Sequence, residues 1–98
     1  MISAFVNYLA SERRLSPHTV RAYQTDLLQC VAYLHTLSPD NKLETATPPL
    51  LRAWVVALVQ QGISHRSINR KLCSLKAFYR FLRAQGLLVQ DPTMKLSL

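Results

Sequence analysis

Glycine, cysteine and acidic residues are all scarce in this 98-residue chain, at two, two and five respectively. So few glycines exclude fibrous and linker-like classes and favour a compact, mostly helical protein. Cys30 and Cys73 lie far apart, with no histidine at ligand spacing, so neither a zinc site nor a disulfide framework is expected. Both read as reduced, half-buried thiols of a cytosolic protein. His18, His35 and His65 show no metal spacing either, and no cofactor is expected. The apolar run Trp54–Val59 is far too short to span a membrane. No basic segment precedes an apolar run at the N-terminus, so no signal peptide is expected. There is no glycine-rich phosphate loop, no Ser–His–Asp spacing and no pair of carboxylates in a common pocket. Tyr8, Tyr23, Tyr33 and Tyr79 read as core or rim aromatics.

What is present is positive charge. Twelve Lys and Arg oppose five Asp and Glu, a formal net charge of +7. In a chain with room for one domain, that balance favours polyanionic partners: nucleic acid first, acidic lipid second, acidic protein third.

Caps and hydrophobic periodicity divide the chain into four helices. The first runs from about Ser3 to Arg13, with Phe5 and Leu9 on one side. Ser16-Pro17 then starts a helix reaching about Leu37, the serine as N-cap and the proline where its missing N–H is harmless. Val20, Leu27, Val31 and Leu34 form its apolar stripe, opposite His18, Arg21, Thr25 and Gln29. Ser38 to Ala46 is the one long loop. Thr47-Pro48 repeats the start signal for a third helix, which faces Leu51, Trp54, Val55 and Leu58 inward and closes at Gly62. Ser64 caps a fourth helix that runs to about Gln85 and stops at Gly86. Asp91-Pro92 begins an extended tail. The expected fold is all-α: a four-helix bundle of two helical hairpins, with Phe5, Leu9, Val20, Leu27, Val31, Trp54, Leu58, Leu72, Leu75 and Tyr79 in one core.

The fourth helix carries the functional signal. At about 100° per residue, Ile68, Leu72, Leu75, Tyr79 and Leu82 share one arc, with Phe78 at its margin. Across from them lie Arg66, Asn69, Arg70, Cys73, Lys76, Ala77, Arg80 and Arg83, and no acid occurs from Ile63 to Gln90. A merely solvated face mixes signs, because like charges four residues apart repel. Arg66–Arg70 and Lys76–Arg80 are such like pairs, and an external anion would relieve them. Small Cys73 and Ala77 let a phosphate ribbon approach. The face therefore reads as a duplex-DNA contact through Arg66, Asn69, Arg70, Lys76 and Arg80. An amide such as Asn69 can pair with an adenine edge and an arginine with guanine, although either can equally touch phosphate. The second helix adds Thr19, Arg21 and Thr25. Thr19 lies near a helix N-terminus, where it either binds phosphate or assists the cap.

Ser16, Thr19, Tyr23, Asp26, Leu27 and Leu34, followed by Gly62, Ser64, Ser67, Ile68, Arg70, Leu72, Leu75, Lys76, Phe78, Tyr79, Phe81 and Leu82, resemble the core-binding domain of tyrosine recombinases. Asp91-Pro92 stands where that family usually has Asn-Pro. Short bacterial Xer-type recombinases and phage integrases are similar in flavour. The resemblance implies a SAM-like bundle spanning residues 1–90, with residues 91–98 starting a linker to a catalytic domain that these residues do not include. It further implies that the second and fourth helices face the major groove in one jaw of a clamp. The family's Arg–Lys–His-x-x-Arg set and its tyrosine, which forms a 3′-phosphotyrosyl bond, have no counterpart here. No catalytic residue is therefore carried over. The implied partners are duplex DNA and, through the longer protein, other recombinase subunits; alone the chain is expected to be monomeric and off the membrane. Two other readings stay open: a stand-alone helix-turn-helix regulator turning at Gly62-Ile63-Ser64, and a helical protein-interaction module or membrane-surface helix.

Overall fold

In the computed structural model, which describes residues 1–97, the chain forms four helices. They are α1 (Ile2–Ser11), α2 (Pro17–Leu37), α3 (Pro48–Gln60) and α4 (His65–Ala84). No strand occurs among the described residues, so the all-α expectation holds. The two long helices begin alike. Ser16 Oγ accepts from the Thr19 N–H, and Ser64 Oγ from the Ser67 N–H, each at 3.2 Å. Thr47 makes no such bond although its sequence repeats the signal. Pro48 and Pro49 occupy the first two helical positions, where their missing N–H groups are harmless.

Both glycines end helices. Gly62 has φ 80° and Gly86 φ 73°, and the next residues donate back into the helix, Ile63 N–H to Leu58 O at 3.1 Å and Leu87 N–H to Leu82 O at 3.0 Å. This is the Schellman closure, which needs a left-handed residue. α1 ends two residues earlier than expected and closes by a turn one residue wider. There Arg14 itself takes φ 53° while the Leu15 N–H reaches Leu9 O at 3.1 Å.

α2 and α4 pack against each other and each against α1 and α3. Phe5, Leu9, Val20, Leu27, Trp54, Leu58, Leu72, Leu75 and Tyr79 are buried as expected, together with Phe78. Val31 is only half-buried: the inward stripe of α2 runs through Leu27, Cys30 and Leu34, leaving Val31 round its edge. The thiols also depart from expectation, since Cys30 is fully buried and Cys73 exposed. An aromatic cluster seats α1, with Phe5 edge-on to Phe78 at 5.6 Å and to Tyr23 at 6.0 Å, and Tyr8 beside Phe81 at 4.9 Å.

Two connections hold more structure than their composition suggests. Within residues 38–46, Leu43–Thr45 forms a 3₁₀ turn, Leu43 is buried, and its carbonyl accepts from the Tyr79 hydroxyl at 2.6 Å. Asn41 Nδ2 donates to Leu34 O at 2.9 Å, satisfying a carbonyl at the end of α2. The segment after Asp91 is not extended. Asp91 Oδ1 accepts from the Thr93 N–H at 2.8 Å and from the Thr93 hydroxyl at 2.6 Å. The resulting turn buries Thr93 and seats Leu96 in the core.

Candidate nucleic-acid interface

The outer face of α4 is where the sequence reading concentrated, and there the structure leaves Arg66, Asn69, Arg70, Cys73, Arg80 and Arg83 exposed, with Lys76 half-buried. From Arg66 to Arg83 the helix spreads these groups over about 26 Å. On α2, Thr19, Arg21 and Thr25 are exposed as well.

These residues do not form one cluster. Thr19 and Arg70 meet in a groove of about 390 Å³ between the first turns of α2 and the middle of α4, lined also by His18, Tyr23, Cys73 and Ser74. The Thr19 hydroxyl lies 3.0 Å from Ser16 Oγ, so it also serves the cap. Arg21 Nη2 lies 3.1 Å from His18 Nδ1 at the groove's rim. Arg80 belongs elsewhere: it lines a smaller groove of about 190 Å³ against α1, with Phe5, Tyr8 and Arg13. Arg13 is thus a second cation at that end which the sequence reading passed over. Arg66, Asn69, Lys76 and Thr25 line neither groove.

Beneath the face lies a charged cluster that the helical wheel missed. Asp26 is 1% exposed. Its Oδ1 accepts from Arg70 Nη2 at 2.8 Å and from Lys71 Nζ at 3.2 Å, and its Oδ2 from the Ser74 hydroxyl at 2.7 Å. Lys71 Nζ also donates to Gln29 Oε1. The signal was available: Asp26 falls three residues after Tyr23 and four before Cys30, on the inward side of α2. An acid placed there demands a cation from the facing helix. Lys71 answers it, and α4 therefore buries a wider arc than its leucines alone mark out, including Lys71 and Ser74.

The like-charge reading of α4 changes accordingly. The Arg66–Arg70 pair finds its compensating anion inside the molecule, in Asp26. Lys76–Arg80 finds none among the described residues. Only Arg70 and Lys71 lie within salt-bridge distance of a carboxylate there, which leaves ten of the twelve Lys and Arg without one. The four other acids make no such pair among the described residues. An uncompensated cationic face of this kind attracts phosphate.

Nucleophilic chemistry is poorly served by these side chains. Burial pushes the Cys30 thiol up to about 12, and burial foremost raises the Tyr79 phenol above its ordinary range. Neither group ionises near neutral pH. Among the described residues no cluster of His, Cys, Asp or Glu could hold a metal ion, and no helix is long and apolar enough to cross a membrane.

The family model for the N-terminal SAM-like domain of phage integrase matches residues 2–86. Over 93 residues the chain is 39% identical to tyrosine recombinase XerC of Alcanivorax borkumensis, covering 95% of this chain and 29% of the relative. It is 39% identical over 98 residues to tyrosine recombinase XerC of Pseudomonas syringae pv. tomato, covering 98% and 32%. Against tyrosine recombinase XerC of a Mycobacterium species it is 35% identical over 98 residues, covering 100% and 33%. The chain thus spans about a third of the length of the curated relatives it matches. No solved structure matches it at a significant level.

Proposed function

This chain belongs to the phage integrase N-terminal SAM-like family, and from that premise we propose that it binds duplex DNA through the outer face of α4, flanked by the exposed side of α2. The observation that carries this reading is the row of cations on α4 with no acid in the same helix and, among the described residues, no carboxylate partner for any of them but Arg70 and the buried Lys71. Arg66, Lys76 and Arg80 act on phosphates, with Arg21 and Thr25 on α2 and Thr19 at its first turn; Asn69 and Arg70 stand where base edges would come. The family and the four-helix fold agree with the DNA-binding portion of a tyrosine recombinase. In the longer protein this domain forms one jaw of a clamp and the segment after Asp91 leads to the second. That second domain carries the strand breakage and rejoining through a 3′-phosphotyrosyl bond, in company with other recombinase subunits in the cytoplasm.

Titration of a random-sequence 30-base-pair duplex at several salt concentrations tests the reading. Contact with four phosphates gives a slope of log K against log salt of about −3.6. Arg66→Ala/Arg80→Ala should weaken binding and flatten the slope by about two units. Unchanged binding in that variant removes α4 as the interface.

A further inference from the structure

Arg70 differs from every other exposed cation on α4 in one respect: it is held. Its Nη2 is bonded to a carboxylate that is itself buried and fixed by Lys71 and Ser74, and the Ser74 hydroxyl also lies 3.3 Å from Arg70 O. Among the described residues, Arg66, Arg80 and Arg83 have no such side-chain anchor. The Arg70 side chain nonetheless remains 57% exposed, and it lies along the groove with His18, Thr19 and Cys73.

Stability does not account for this arrangement. Lys71, with a side chain 8% exposed, already supplies the cation that a buried Asp26 requires. A second cation, mostly in water, adds little to a fold. What the bond does is fix the plane of a guanidinium that has five N–H donors and spends one of them on Asp26. A fork held by a hydrogen-bonded layer beneath it loses less freedom on meeting a planar acceptor pair than a free arginine does.

Resting on the DNA-binding reading above, we propose that Arg70 is the sequence-reading residue of this face, with Asp26 as its positioning residue, and that its free edge pairs with the two acceptors of a guanine in the major groove. Arg66 and Arg80, unanchored, serve as interchangeable phosphate cations.

Lysine substitution separates the two roles, because it keeps the charge and abolishes the fork. Duplexes are selected from a random 30-base-pair library with the wild-type chain and with each variant, and the salt slope is measured on the unselected library. The wild type should enrich guanine at one position. Arg70→Lys should lower that preference about 5- to 150-fold, the range of one bidentate base contact, with the slope unchanged. Arg80→Lys should alter neither. Asp26→Leu/Lys71→Met, which leaves net charge as it was, should lose the same guanine preference at an unchanged slope. If Asp26 served the fold alone, that double variant would keep the wild-type guanine profile, whatever its melting temperature. A wild-type chain that enriches no base, or a preference that survives Arg70→Lys, overturns the proposal. Failure of the DNA-binding reading itself shows separately, as random-duplex affinity indifferent to Arg66→Ala/Arg80→Ala.

Discussion

Replacing Asp26 by asparagine removes a charge on which two helices converge. The loss can be apportioned from the exposures of the three partners. The Arg70 side chain is 57% exposed while Asp26 is 1% exposed, so water screens the pair from one side only and it contributes about 1 kcal/mol. The Ser74 hydroxyl can donate to an amide oxygen much as it does to a carboxylate. Lys71 is the sensitive partner: its side chain is 8% exposed and, without Asp26, only Gln29 remains to it. Stranding one member of a buried ion pair costs about 3–5 kcal/mol. A domain of this size has about 5–15 kcal/mol in total. For a urea m-value of about 1.5 kcal/mol/M, the unfolding midpoint should fall by roughly 2–3 M with m unchanged. Asp26→Leu/Lys71→Met removes both charges and should recover most of the loss, since apolar replacements of buried pairs are often neutral. A loss under about 1 kcal/mol in Asp26→Asn, or a double variant as unstable as the sum of its singles, would refute this account of α2–α4 docking.

Other expectations follow from single features. Tyr79→Phe removes one of the two donors to the buried Leu43 carbonyl, which keeps the Ala46 N–H at 3.2 Å, and should cost about 0.5–1.5 kcal/mol in urea unfolding. Gly62→Ala meets no steric obstacle, yet its φ of 80° disfavours a Cβ, so a loss of about 1 kcal/mol should appear in thermal melts. The Cys30 thiol ionises on unfolding far more readily than in the fold, where it is held at about 12. Its contribution is therefore complete below pH about 8.5 and declines as pH rises toward 12, so stability should fall from pH 8 to pH 10, and less so in Cys30→Ala. A thiol reagent at pH 8 should label Cys73 promptly and Cys30 only at the rate of opening, a difference visible by mass spectrometry.

How much of this was legible beforehand depended on whether a signal was local. Ser16, Ser64, Gly62 and Gly86 mark helix ends through bonds made within one turn, and each stands where the sequence reading put it. The leucine and aromatic periodicity of α4 likewise placed Leu72, Leu75 and Tyr79 in the core. What escaped was pairwise and distant. The period of α2 turns Asp26 inward, but its partner Lys71 lies 45 residues away and nothing local to α4 marks it as the answering cation. Leu43 and Leu96 are isolated apolar residues in turn-rich segments. Their burial depends on how α3 and α4 are docked, which composition does not encode. The candidate interface was legible as a set of charges on α4, while its division between a groove at α2 and another at α1 was not.

The turn after Asp91 bears on where this folding unit stops. The family match closes at residue 86, at the glycine that ends α4. Packing continues for ten residues more, because Leu96 belongs to the core and lies beside Pro48 and Arg52 at the start of α3. The described packing and the stretch matched by the family model therefore end at different residues. A cut made at Gly86 would separate Thr93 and Leu96 from the body they complete and open the base of α3 to water. Thr93 and Leu96 thus join the core after α4 has ended, and the packing against the base of α3 lies outside every helix.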